Sequence, residues 1–432
     1  MHSLSHSTAG SVPRPAVVSA AMSLAASQPR PGAARGFRKA RQRQSLAALM
    51  LVAPLLVFLG LTFILPIGTL LLKSIEGLGV SSVLPRTAAA LEGWGGQDLP
   101  LDAAYVALAA DVRQASGTGE LGELARRLNF YQAGFRSLLL KTSRGLPPET
   151  TADWKERLIG IDARWGERQT WVELRRGSAA LTPDYLLAAI DTKIDADGAL
   201  VPVPADEGIY LSAFGRTLWI SGLVTVITFL LGYPVAYLLA TLPTRFSARL
   251  MIFVIVPFWT SLLVRTTAWY VLLQPNGVVN SALKVLGLSA EGVPLIFNRT
   301  GVLIGMTHIL LPYMILANYA VMKGISPNFM RAALSLGAHP VEAFVRAYFP
   351  LTLPGVGAGT FLVFVLALGY YITPAMLGGG GDAMISQLIA FQTQNQLNWG
   401  LAGALSVYLV ALTLFLYFIF NRLIGVERLR LG

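Results

Sequence analysis

Cysteine is absent from the 432-residue chain, and histidine occurs only four times. The absence of cysteine excludes disulfides, thiolate metal sites and a cysteine nucleophile, and so few histidines argue against a histidine-rich metal site. Charged residues are also scarce, at 13% against 54% hydrophobic residues, and the mean hydropathy is +0.58. Soluble globular domains rarely have this composition. The composition therefore indicates an integral membrane protein.

The dipeptide Gly-Lys is missing as well. A phosphate-binding loop of the Walker A kind needs a lysine and a Ser or Thr directly after its glycines, to reach the phosphates and to hold Mg²⁺. The glycine run at 378–381 is followed by Asp382 instead. The chain is therefore not expected to hydrolyse ATP through such a site. We expect the run to form a flexible external turn or a plain connector.

Six apolar runs are each long enough to cross a hydrocarbon core of about 30 Å. Residues 1–44, rich in Ser, Ala, Pro and Arg, predict a disordered basic tail ahead of the first run. The length of that run and its basic flank predict a membrane helix with a cytoplasmic N-terminus, not a cleaved signal. The predicted spans are 45–72, 217–241, 250–273, 302–321, 353–377 and 401–421.

Lys and Arg are distributed unevenly over the short loops between these spans. From a cytoplasmic N-terminus, the loops alternate so that both termini lie inside the cell. The short inner loops then carry eight Lys and Arg residues, and the short outer loops carry two. An excess on the cytoplasmic side is the usual rule, so the formal charge of +11 indicates membrane orientation rather than nucleic-acid binding. The predicted inner segments are 242–249, 322–352 and 422–432.

Residues 73–210, which we call the insert, differ in composition from the rest. Between 76 and 210 there are 14 Lys and Arg against 19 Asp and Glu, a net charge of −5. Apolar residues recur at helical spacing at 103–110, 121–140 and 154–174, with Gly and Pro breaks between. We predict a mostly helical extracytoplasmic insert that contacts a partner or acts as a solubilising spacer. The predicted fold class is an all-α, polytopic membrane protein, with a five-helix core at 211–432.

Acidic residues are absent from all six predicted spans. Ion-coupled carriers usually place Asp or Glu at mid-membrane to bind the coupling ion, so this disfavours an ion-coupled carrier. Arg265 is the one charged residue within a span. It is expected to face the bundle interior or a partner, or else to extend to the outer interface, and it should not bind a cation directly. His308 is interpreted as a structural hydrogen-bonding residue.

Without a carboxylate in the spans, aromatic rings are the groups that can offer cation–π faces to a cationic solute. The same residue types are also typical interfacial anchors. The candidates for a translocation path are Trp219, Tyr233, Trp259, Arg265, Trp269, Tyr370 and Tyr371.

An amphipathic segment at 323–354 separates two apolar spans on the predicted cytoplasmic side. Ser326 predicts an N-cap and Pro327 a first helical residue. Apolar and small residues spaced three and four apart, up to Gly337, predict one face of a helix over 327–338. Because these side chains are small, a groove in another protein can approach this side of the helix closely. We predict a docking helix.

Prolines follow this helix at regular intervals. The pair His339-Pro340 is expected to end it, and Pro340 to open a second helix through Tyr348. Pro350 and Pro354 are expected to mark the start of the next span. The sequence therefore predicts a helix-turn-helix along the membrane surface.

This segment resembles the cytoplasmic "EAA" loop of ATP-binding-cassette (ABC) importer permeases. In that loop Glu-Ala-Ala, three residues, Gly and a hydrophobic-Pro pair follow at fixed spacing. Arg331-Ala332-Ala333, Gly337 and Phe349-Pro350 hold these positions, with Arg331 where the family usually has Glu. Further blocks that begin at Arg216, Val256 and Tyr370 are similar to the spermidine/putrescine importer permeases, in the same order. The insert has no counterpart.

The resemblance implies one transmembrane subunit of a bacterial inner-membrane importer for polyamines or similar solutes. It implies a second homologous permease, two ATPase subunits that use ATP and Mg²⁺, and a periplasmic substrate-binding protein as partners in the lipid bilayer. No cofactor is expected on this chain, and no nucleic acid. The implied ATPase-docking residues are Pro327, Arg331, Ala332, Ala333, Gly337, Ala338 and Pro350.

Other functions stay open. An ABC importer for an opine, a phosphonate, thiamine or ferric ion would have the same architecture. An ion-coupled carrier would transport without an ATPase, and a receptor that signals through residues 76–210 would bind ligand without solute flux.

Overall fold

A computed structural model describes residues 50–147, 153–204, 206–289 and 291–424. The tail predicted at 1–44 lies outside the described residues, as do Arg428 and Arg430. The chain divides between Gly68 and Thr69 into two compact units. The contacts described below all fall within the second unit.

Among the described residues, five helices are long and apolar enough to cross a membrane, and a bent pair of helices makes a sixth crossing if its limbs count as one. We number these crossings spans 1 to 6. In chain order they are Met50–Leu72, Tyr210–Thr241, the pair Thr244–Trp259 and Leu262–Leu272, Arg299–Met322, Pro340–Leu368 and Trp399–Arg422. The all-α, polytopic fold class is confirmed.

Shorter helices connect the spans. Val278–Val285 lies between spans 3 and 4, and Asn328–Ser335 between spans 4 and 5. Ile372–Leu377, a 3₁₀ turn at Gly380–Asp382 and Ile385–Gln394 lie between spans 5 and 6. The helix of span 6 continues to Ile424, and span 1 contains a π-helical turn at Gly60–Ile64.

The insert is helical, with one small antiparallel hairpin of strands Thr192–Ile194 and Leu200–Pro202. The two long helical stretches expected at 121–140 and 154–174 are each broken by a turn. Asn129 accepts the backbone N–H of Gly134 at 2.8 Å, and Asp162 accepts that of Arg164 at 3.2 Å, so both turns are capped locally. The helices are Val80–Val83, Pro85–Glu92, Asp102–Ala115, Glu120–Leu128, Phe135–Gly145, Trp154–Ile161, Arg168–Gly177 and Asp184–Ala188, with a 3₁₀ turn at Ala163–Gly166.

Large aromatic side chains fill the core of the insert. Tyr105, Trp165 and Trp171 are fully buried, and the rings of Tyr105 and Trp171 meet edge to face at 4.6 Å. The Tyr105 hydroxyl and the Trp171 indole N–H both donate to the carbonyl of Trp165. The Trp165 indole N–H donates to the Thr142 hydroxyl at 2.8 Å. Every polar group on these rings is paired, which is what burial of Tyr and Trp requires.

The core of the insert continues into the start of span 6. Tyr185 is buried in the same apolar cluster as Leu401 and Leu405. A Cβ placed on Gly400 would lie 2.2 Å from the Tyr185 ring, so the two residues pack with no spare space. Burial raises the pKa of the Tyr185 hydroxyl to about 12. The insert is therefore seated on span 6 through side-chain packing, in addition to its covalent connections.

Spans 2, 4 and 5 contact one another most extensively. Small residues allow their close approach: a Cβ on Gly232 would lie 3.1 Å from Met314 Cγ, and one on Gly359 would lie 2.9 Å from Met314 Sδ. Buried apolar side chains from all three spans, including Val224, Met306 and Val363, form one cluster. These three spans are the packed centre of the membrane region.

Span 3 is not the straight helix predicted at 250–273. Its two limbs meet at 97°. The first limb ends in a 3₁₀ turn that contains Pro257, and Ser261 is extended before the second limb begins. Proline removes a backbone donor and clashes with the preceding turn, so the bend has a local cause.

Span 5 differs from prediction in the opposite way, because its helix runs without a break from Pro340 through Pro350 and Pro354. A π-helical turn at Phe344–Tyr348 ends two residues before Pro350. In this turn the hydrogen bonds shift to the i→i+5 pattern, so the helix continues although Pro350 has no backbone N–H to donate. The expected helix-turn-helix is therefore one short helix followed by the first turns of a span.

Candidate functional site

The helix Asn328–Ser335, which we call the coupling helix, connects spans 4 and 5 and contains no buried residue. It begins one residue later than predicted. Pro327 is the residue before the helix, and the Ser326 hydroxyl accepts the N–H of Asn328 at 3.3 Å. Ala332 is exposed, while Ala333 and Ala338 are half-buried. The protein presents one thin side of this helix outward.

Gly337 has a role that its spacing did not predict. The helix ends at Ser335, so Gly337 lies beyond it, with a left-handed φ of +89°. The N–H of Gly337 donates to Leu334 at 3.0 Å, and that of Ala338 donates to Ala333 at 3.1 Å. This pair of bonds is the Schellman motif, in which glycine ends a helix at low cost. Gly337 stops the coupling helix and is not part of its face.

The coupling helix lies against the π-helical turn Phe344–Tyr348 at the start of span 5. Arg346 on this turn forms an ion pair of 2.8 Å with Glu342, one helical turn earlier in the same span. Arg331, which stands where the family usually has Glu, is exposed and makes no ion pair with any described residue. Pro350 is exposed one turn further along the same span. The coupling helix therefore lies against a span of the packed centre.

Tyr233 lies near the same end of the molecule. Its side chain is buried, and its hydroxyl shares a hydrogen bond of 3.0 Å with the Thr352 hydroxyl of span 5. Its ring contacts Phe349 at 5.8 Å and Phe344 at 6.4 Å. This path candidate thus belongs to an aromatic cluster behind the coupling helix, a cluster that sequence reasoning did not find.

Three other path candidates, Arg265, Trp269 and Tyr370, lie near one another, and two of them, Arg265 and Trp269, lie beside His308 of span 4. The rings of Trp269 and His308 meet edge to face at 5.4 Å. Arg265 is close enough to interact electrostatically with both His308 and Tyr370. Arg265 Nε and His308 Nδ1 are buried without a hydrogen-bond partner among the described residues.

The remaining path candidates lie outside this group of side chains. Trp219, Trp259 and Tyr371 are 61%, 87% and 38% exposed, and none makes a ring contact with another described residue. The structure therefore brings three of the seven candidates together and leaves three on the surface of this chain.

Sequence reasoning also missed the contacts of the segment 378–385, which we call the distal loop. It lies at the end of span 4 that begins with Arg299, whereas the coupling helix follows the other end. At the first two residues of the glycine run the backbone is closely approached: a Cβ on Gly378 would lie 2.6 Å from the Pro374 carbonyl oxygen, and one on Gly379 would lie 2.5 Å from that of Phe297. The glycine run permits close packing.

The spans, the packed centre and the exposed coupling helix define a multi-pass, mostly helical membrane protein. Residues 211–426 match the family described as "Binding-protein-dependent transport system inner membrane component". That match covers half of the chain, and the protein belongs to this family. It is a permease component of an ABC importer in the inner membrane. The insert lies outside the matched residues.

Two curated relatives are named spermidine/putrescine transport system permease protein PotB. The protein from Haemophilus influenzae is 31% identical over 220 residues, which cover 50% of this chain and 77% of the relative. The protein from Escherichia coli is 32% identical over 222 residues, 51% of this chain and 81% of the relative. A solved bacterial alginate ABC transporter, in complex with alginate pentasaccharide-bound periplasmic protein, aligns with TM-score 0.41 and 18% identity over 49% of this chain and 77% of that one. The two PotB relatives confirm the sequence resemblance to polyamine permeases.

Proposed function

We propose that this permease imports polyamines such as spermidine or putrescine, or a similar small cationic solute, with energy from ATP hydrolysed by partner subunits. The similarity to two PotB permeases supports the choice of solute. The observation that carries the mechanism is the exposed coupling helix seated on span 5. Two ATPases, which use ATP and Mg²⁺, bind this helix and its counterpart on a second homologous permease.

The mechanical step follows from the packing. When the ATPases close, they displace the coupling helix, and the helix pushes on the start of span 5. Span 5 is packed against spans 2 and 4 through glycines and buried apolar side chains, and packed interiors transmit displacement rather than absorb it. The spans then open at the distal end, where a periplasmic binding protein delivers the solute.

The coupling helix faces the cytoplasm in this proposal, and the distal loop and the insert face the periplasm. Both chain termini then lie inside. The excess of Lys and Arg in the short loops on the coupling-helix side supports this orientation.

One observation favours a second candidate solute. The only charged group at the centre of the path candidates is the guanidinium of Arg265, whose Nε has no partner among the described residues. A solute with an anionic group, such as a phosphonate or the carboxylate of an opine, would pair with it. Competition between labelled spermidine and these compounds for uptake separates the two candidates.

The coupling assignment is tested by Ala332→Trp, because Ala332 is exposed on the coupling helix. A bulky ring there blocks a fitted groove without disturbing the buried core. We expect normal membrane insertion, loss of co-purified ATPase, and uptake of labelled spermidine reduced at least tenfold in vesicles that contain the complete importer. The matched control is Ala282→Trp, at an exposed alanine of another eight-residue helix, Val278–Val285.

The control variant should transport like the wild type. If Ala332→Trp transports at the wild-type rate with bound ATPase, the coupling helix does not dock the ATPase. If the purified chain moves solute down an ion gradient without any ATPase, ATP-driven import is refuted.

A further inference from the structure

The distal loop closes the end of the packed centre that is remote from the coupling helix. Met384 is fully buried in the same apolar cluster as side chains of spans 2, 4 and 5. The N–H of Ile385 donates to the Thr217 hydroxyl of span 2 at 2.8 Å, in a buried position. The Ser386 hydroxyl contacts the carbonyls of Leu368 and Tyr370 at 3.0 and 3.1 Å. The distal loop therefore covers this end of the packed centre.

Two arginines hold the distal loop in place. Arg216 of span 2 donates from Nε to the carbonyl of Ala383 at 2.8 Å. Arg299, at the start of span 4, donates from Nε to Asp382 Oδ1 at 3.2 Å. The Asp382 side chain is 14% exposed and that of Arg299 is 49% exposed. The carboxylate is therefore largely buried, its direct partner Arg299 is half in solvent, and Arg216 is also close enough to interact with it electrostatically.

Asp382 is also one of very few acidic residues outside the insert. Outside residues 76–210 the sequence has four acidic residues, Glu291, Glu342, Asp382 and Glu427. Glu342 is paired with Arg346 beside the coupling helix, Glu291 is exposed in the connection between spans 3 and 4, and Glu427 lies outside the described residues. Asp382 is thus the one sheltered carboxylate of the described permease core at the end where the solute arrives.

We propose that Asp382 is the carboxylate that receives the solute, whose ammonium group takes the place of Arg299 as the distal loop moves away. A largely buried carboxylate without a cationic partner raises the free energy of the protein. When one cationic partner replaces another, the carboxylate stays paired and this cost is avoided. A neutral solute offers no such replacement, so the exchange selects for cations at the point of entrance. This assignment rests on the proposed import of polyamines.

The assignment is tested by comparison of Asp382→Asn with Arg299→Gln, since each variant breaks the same ion pair. Uptake of labelled spermidine is measured in vesicles with the complete importer and saturating, loaded binding protein. We expect Asp382→Asn to reduce the uptake rate at least tenfold, and Arg299→Gln to stay within about twofold of the wild type. Asp382→Glu, which keeps the charge, should retain transport, and Glu291→Gln serves as the matched control.

Equal losses in Asp382→Asn and Arg299→Gln would show that the pair only holds the loop closed, and would overturn the assignment. Wild-type uptake by Asp382→Asn would overturn it as well. Membrane insertion and ATP hydrolysis stimulated by the binding protein are measured for each variant, and Asp382→Ser replaces Asp382→Asn if the latter fails to insert. If the wild-type importer moves no polyamine, the proposed solute is wrong and the assignment falls with it.

Discussion

Glycine is required for two different reasons in this permease: some glycines adopt a left-handed backbone conformation, and others leave room for a neighbouring segment. Gly337 is needed for its left-handed backbone, and nothing lies within 4 Å of a Cβ placed there. Gly378 and Gly379 have ordinary φ values and are needed because carbonyl oxygens lie closer than any side chain allows. Substitution at Gly337 therefore strains the chain locally, while substitution at the other two displaces neighbouring segments.

The role of Gly337 leads to a prediction about two substitutions. Valine in a left-handed conformation costs about 1–2 kcal/mol, whereas asparagine adopts it readily. We expect Gly337→Val to speed hydrogen exchange at the backbone amides of positions 337 and 338 and to reduce ATP-driven uptake. Gly337→Asn should keep most of both properties. Equal damage by the two variants would mean that the absence of a side chain matters, and not the backbone conformation.

At the scale of the element, proline has opposite consequences in spans 3 and 5. Pro257 lies in a 3₁₀ turn beside a bend of 97°. Pro350 and Pro354 lie within one helix, because a π-helical turn and the packing of span 5 against its neighbours compensate for the lost donor. The proline pattern predicted a break at the wrong place because these compensations depend on tertiary contacts.

The contact between the insert and span 6 can be tested by a single substitution. A Cβ on Gly400 would lie 2.2 Å from Tyr185, so Gly400→Ala must push the ring away, and such overpacking costs about 1–3 kcal/mol. We expect faster proteolysis of the insert in the full-length protein. Gly222→Ala is the matched control, since nothing lies within 4 Å of a Cβ at that helical glycine. Unchanged proteolysis in Gly400→Ala would show that the insert is not held there.

At the scale of the whole molecule, orientation in the membrane is the property on which the proposed mechanism depends. The natural absence of cysteine makes single-cysteine labelling clean. We expect Ala133→Cys in the insert to react with a membrane-impermeant maleimide added from the periplasmic side. Ser335→Cys at the end of the coupling helix should react only after the membrane is disrupted. Labelling of Ser335→Cys from the periplasm would reverse the topology and refute ATPase docking at this helix.

The amino-acid sequence by itself determined the membrane class and the family, and it predicted six crossings where the described residues have five membrane-length helices and one bent pair. Each crossing of a bilayer needs a continuous apolar run, and that requirement is local in sequence. The short helix between spans 4 and 5 was also predicted from local spacing around Arg331-Ala332-Ala333 and Gly337, although it proved to be shorter than predicted.

Only the tertiary structure decided which residues meet. It kept span 5 intact, and it brought Arg265 and Trp269 of the second limb of span 3 close to His308 of span 4. It also placed Arg216 on the carbonyl of Ala383, 167 residues away in the chain. Such contacts depend on how helices pack, and neither hydrophobic period nor motif spacing carries information about partners that far apart.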